Sequence, residues 1–165
     1  MSNELEILRK FFSEHPTWIK AASPVREGAN SEVFIAGQPR PYHLYRTAGR
    51  SELREGPAPS PDFSLMFSYG AVKSFHELKD GEIADFAILL FDCIKEEDIE
   101  QKIGFRVVGT LSQVLGRGYL QVLLKGGPRV LQYAAAHGVR SIGDFSRLLR
   151  GLRGKDVNWT DFQLL

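Results

Sequence analysis

The side chains able to do chemistry are few in this 165-residue chain, and they are poorly grouped. Its four histidines, His15, His43, His76 and His137, stand at no spacing that a zinc site uses, and a single cysteine excludes a thiolate cluster. Cys93 with His76 would make a nucleophile–base dyad. However, Cys93 follows Asp92 in a strongly apolar stretch that closes on Glu96-Glu97-Asp98, surroundings that disfavour a thiolate. It reads as a structural cysteine. His43, with Tyr42 and Tyr45 beside it, reads as an ordinary sheet residue, and no Gly-x-Ser-x-Gly elbow occurs. The expectation is a protein with no catalytic residue, no metal and no cofactor, that is, not an enzyme.

Two charged clusters remain. Lys125-Gly126-Gly127-Pro128-Arg129 places a glycine pair before a helix start, where backbone N–H groups favour anions. It lacks the spacing and the Lys-Ser/Thr ending of a Walker loop, and a plain break between helices accounts for it. Further on, Arg140, Arg147, Arg150, Arg153 and Lys155 accompany an apolar stripe of Ile142, Phe145, Leu148, Leu149 and Leu152. Such a helix would dock on an anionic membrane or on a protein partner through Arg147, Arg150 and Arg153. The alternative is a helix packed on the body with its arginines in water.

The elements that must position these groups belong to one domain by length. A chain of this size buries roughly 70% of the surface its unfolded form exposes, so it needs no disulfide or metal staple. Hydrophobic residues at 43% and charged residues at 25% are those of an ordinary globular protein. A net charge of +1 argues against nucleic-acid wrapping. One cysteine suits a reducing compartment, and the N-terminus MSNELEILRKFF lacks the apolar core of a signal peptide. No stretch approaches the roughly 18 apolar residues of a spanning helix. These features lead to the expectation of a soluble, cytoplasmic protein.

Along the chain, Leu5, Leu8 and Phe12 form a helical stripe over residues 3 to 13, stopped by His15-Pro16. The period then changes to two. SEVFIAG, YHLYRTAG and Arg50 to Gly56 read as strands, followed by the proline loop PAPSPD. Phe63, Leu65 and Phe67 alternate with Ser64, Met66 and Ser68 as the clearest strand. A short helix over 71 to 79 precedes a longer one whose Ile83, Phe86, Ala87, Leu90, Phe91 and Ile94 give an unbroken stripe. Ile103, Phe105 and Val107 form a last strand, and the remainder is helical. The fold class is α+β, a mostly antiparallel five-stranded sheet with helices on one face and extra C-terminal helices.

The order of these pieces resembles the sterol carrier protein domain family, the type-two fold of non-specific lipid-transfer proteins. The resemblance rests on the strand pair Tyr42–Gly49 and Ser51–Gly56, and on Pro61-Asp62 leading into Phe63 to Ser68. It continues through Ala71–Lys79, Gly81, the 83–94 helix, Lys102 to Gly109, and Leu111 onward. It covers residues 31 to 124, with 1–30 as an N-terminal helical segment and 125–165 as a C-terminal extension. It implies a five-stranded antiparallel sheet covered by helices around an apolar tunnel for a lipid, a fatty acyl, sterol-like or isoprenoid quinone molecule, with no catalysis. By position, Phe75, Phe86, Leu90, Ile103, Phe105, Leu111 and Leu115 would line that tunnel. Leu65, Phe67 and Val107 join them from the alternating strands. Two departures are the insertion FDCIKEEDIEQ and the helices after Gly126, which would plug, lengthen or cover the tunnel. The alternative is the same fold with a filled core, serving as a non-enzymatic interaction module.

Overall fold

The computed structural model describes residues 2–152. Every segment with a period of two becomes a strand: β1 Asn30–Ile35, β2 Tyr42–Thr47, β3 Arg50–Glu55, β4 Phe63–Phe67 and β5 Ile103–Val107. The turn between β2 and β3 uses Ala48 at φ 48° and Gly49 at φ 72°. Two successive left-handed residues give the tight turn whose twist matches a hairpin. The sheet order is β3-β2-β1-β4-β5. Three pairings are antiparallel, while β1 and β4 run parallel from Ser31↔Phe63 to Ile35↔Phe67. The mostly antiparallel sheet is therefore present. The wholly antiparallel one implied by the family resemblance is corrected at this single pair. The proline loop is the reason: it carries the chain from the end of β3 back to the level where β1 begins, so β4 starts beside Ser31 and ascends with β1.

One face of the sheet is apolar. Val33, Ile35, Leu44, Leu53, Phe67, Ile103 and Val107 are buried there, in register across the strands. Alternate positions, including Glu32, His43, Arg54 and Arg106, form a polar row on the other face. Helix α1 (Asn3–Glu14) lays Leu5, Leu8, Phe11 and Phe12 into the core, with Ser2 as its N-cap. His15 ends α1 and starts α2 (Pro16–Ala22), its Nδ1 accepting from the Thr17 N–H. Its Nε2 donates to the Leu78 carbonyl at 2.8 Å, which fixes the tautomer.

Helix α3 (Tyr69–Glu77) begins two residues before the sequence-based estimate, because the Ser68 hydroxyl accepts from the Ala71 N–H and caps it there. Helix α4 (Ile83–Lys95) is opened by a reciprocal capping pair of Glu82 and Asp85. The helical remainder divides into α5 (Leu111–Gly116), α6 (Tyr119–Lys125), α7 (Gly127–Ala136) and α8 (Ile142–Leu152). Helix α7 ends in a Schellman motif: Val139 N–H reaches the Ala134 carbonyl at 2.8 Å and Gly138, at φ 85°, reaches Ala135.

Both departures from the family pattern border the interior, the insertion through Phe91 and Ile94 and the helices after Gly126 through Phe145 and Leu149. The insertion extends α4 to Lys95 and then turns under the opposite face of the sheet, where Ile99 packs on Met66 and Phe34. The buried Lys102 holds that turn through a 2.7 Å bond to the Glu96 carbonyl. Among the described residues no helix is long and apolar enough to cross a membrane.

Candidate functional site

Between the apolar sheet face and helices α2, α4, α6 and α8 lies a cavity of about 190 Å³. It exceeds the roughly 150 Å³ apolar void that stays dry and takes up benzene. The sheet supplies Leu44, Phe63, Leu65, Phe67 and Phe105 as its floor. Helix α4 contributes Phe86, Leu90, Phe91 and Ile94, and α8 contributes Phe145, Leu148, Leu149 and Leu152. A rigid aromatic wall closes one side: Trp18 meets Phe12 at 4.9 Å and Phe86 at 5.1 Å, both edge to face.

The end where β1 begins is polar. Ser31, Arg46, Ser51 and Tyr119 border the cavity there. The Tyr119 hydroxyl donates to Asp62 Oδ2 at 2.6 Å, and Gln113 Nε2 donates to Oδ1 at 2.6 Å. Asp62 is fully buried, and it also accepts from the Asn30 N–H at 3.1 Å with Arg117 Nε 3.9 Å away. Burial, and then the neighbouring Asp62 carboxylate, push the Tyr119 hydroxyl far above its ordinary value. Tyr119 is thus a fixed donor, not a base, and Asp62 has its oxygens occupied by structural partners.

The reactive candidates are placed as follows. Cys93 is buried, and its thiol is pushed up to about 11 by burial first and then by Asp92 and Glu96. His76 is exposed on α3. Burial, and then Arg54, lower the His43 pKa, so this ring is neutral near pH 7. Among the described residues no three His, Cys, Asp or Glu gather where they would hold a metal ion. Alkylation of Cys93 at pH 8 is expected to run about a hundredfold slower than that of a free thiol, rising with pH until the thiolate forms near 11. Timed iodoacetamide labelling checks this, and labelling at the free-thiol rate would contradict it. At the glycine pair, Arg129 is committed to Asp85 at 3.0 Å, and the segment is the break between α6 and α7.

Of the ten residues assigned to a tunnel, Leu65, Phe67, Phe75, Phe86, Leu90 and Phe105 border the cavity. Ile103 lies outside that lining, fully buried opposite Phe67 in the main core. Val107, Leu111 and Leu115 also lie outside it, packed with Val114 and Phe145 in a second cluster. The reason is register: β5 runs along the sheet margin, so only its middle residue, Phe105, reaches the void. Phe12 and Trp18 were not foreseen, nor were the α8 side chains. For α8 the signal was present in its stripe, of which the structure turns all but Ile142 towards the cavity and leaves Ile142 60% exposed. Arg147 and Arg150 lie exposed on the same helix, Arg147 paired with Asp144 at 3.1 Å. Arg153 falls outside the described residues.

No family model matches this chain, and no curated protein does. Among solved structures it is similar to one described as "UbiJ-SCP2 Ubiquinone synthesis protein". The identity is 17% and the TM-score 0.40, over 73% of this chain and 87% of that one.

Proposed function

We propose that this protein is a non-catalytic binder of a hydrophobic ligand, held without covalent chemistry between the sheet and helices α4, α6 and α8. The observation that carries the reading is the apolar cavity of about 190 Å³ between the sheet and the helices, beside a packed core. Protein interiors pack like organic crystals and leave few voids larger than a water molecule. A lipid chain seated there gains about 0.8 kcal/mol for each methylene it buries. A ten-carbon segment would supply about 8 kcal/mol before the entropic cost of association.

Loading from a membrane is supported by α8, which lines the cavity with Phe145 and Leu149 and exposes Arg147 and Arg150. Reversing Arg147, Arg150 and Arg153 to Glu is expected to weaken sedimentation with anionic vesicles about a hundredfold, at about 1 kcal/mol per basic residue. Unchanged binding to those vesicles would remove the membrane from the account. The reading as a whole is tested by titrating the protein with a fluorescent fatty acid. Saturable uptake at one site per chain is the expected result. Failure to take it up would favour the filled-core interaction module, whose partner would then be sought on the C-terminal helices.

A further inference from the structure

The cavity has a chemical polarity that its apolar walls conceal. No Asp or Glu lines it, and among the described lining residues the only charged one is Arg46. On β2, Arg46 is two residues beyond Leu44 and four beyond Tyr42, so its side chain rises from the helix-covered face. Its Nε donates to the Val25 carbonyl at 3.0 Å and its Nη1 to the Ser51 hydroxyl at 3.3 Å. Both partners are neutral. A guanidinium carries five N–H donors, so these bonds fix the group and leave donors over. Arg117 pairs with Asp62, whereas Arg46 makes no ion pair with a described carboxylate. Arg46 is half-buried, so its charge stands at the mouth of the apolar cavity.

Register places this cation at one end. Arg46 pairs with Ser51 across the hairpin, and Ser31 pairs with Leu44, so the polar side chains gather where β1 begins. Phe67 and Phe75 close the opposite, aromatic end. We infer that the cavity takes an amphiphile with an oxyanion head, a carboxylate or phosphate, whose charge Arg46 meets while its tail runs towards Phe67 and Phe75. This inference rests on the binding reading above and adds the head-group class to it.

The test compares dodecanoate, dodecyl phosphate and dodecanol, three ligands with one tail, by displacement of a neutral fluorescent probe. For the wild type, at least one of the two anions is expected to bind about tenfold or more tightly than dodecanol, as a charge-assisted hydrogen bond adds to the same apolar burial. Whichever anion gains more names the head. Arg46→Met is expected to abolish the preference of both anions over dodecanol, and Arg46→Lys to restore part of it. Dodecanol binding by Arg46→Met also reports that the cavity is intact, and the wild-type comparison stands even if that variant fails to fold. Equal binding of all three ligands to the wild type would overturn the assignment while leaving hydrophobic binding in place. So would a preference that survives Arg46→Met. Binding of none of the three to the wild type would instead overturn the binding reading itself.

Discussion

Replacing Asp62 by alanine is expected to destabilise the protein by about 3 to 5 kcal/mol, the cost of leaving buried partners of a charge uncompensated. The fully buried carboxylate accepts from Asn30, Gln113 and Tyr119, and so joins β1 to α5 and α6. Its backbone carbonyl accepts from both Val108 and Gly109 at 3.0 Å, which ties the end of β5 to the same point. Asp62→Ala keeps those backbone bonds but leaves three donors without their acceptor and the partly exposed Arg117 guanidinium without its carboxylate. Urea unfolding of the variant against wild type gives the number directly. A loss below about 1 kcal/mol would show that the site relaxes around the deletion, and that Asp62 does not organise this end of the cavity.

The second large effect concerns the cavity itself. Leu90→Trp places a larger ring from α4 into the void that Leu90 now borders. It would displace about two to three methylenes of ligand, roughly 2 kcal/mol, and weaken fatty-acid uptake about thirtyfold. Stability of the ligand-free protein is expected to stay level or rise, because the ring fills space that is otherwise empty. Overpacking of a solid core gives the opposite pattern, with stability lost and binding unaffected. The pair of measurements thus separates a cavity from a core, which a binding assay alone does not.

These two residues also mark what the sequence reveals. Leu90 lies in a stripe of constant helical period, and such local patterns were enough to place every strand of the sheet and the cavity-facing side of α4. Asp62 was legible only as the lead-in to β4. Its side-chain partners stand 32, 51 and 57 residues away, and no local period encodes a contact of that kind. The parallel pairing of β1 with β4 was hidden for the same reason, since it depends on the path of the proline loop. Periodicity says that Phe145 and Leu149 face something apolar. It does not say whether that is a lipid surface or the wall of this protein's own cavity, and the structure gives the second answer. Arg46 carried no signal at all, because an arginine on a strand looks the same whether it faces water or a cavity.

The central claim is that the cavity holds a hydrophobic molecule, and native mass spectrometry of the purified full-length protein tests it most directly. The account predicts a population heavier than the sequence mass by one bound species, released by organic solvent and recovered as a lipid-like compound. A single population at the sequence mass, which stays there after incubation with excess fatty acid, would contradict it.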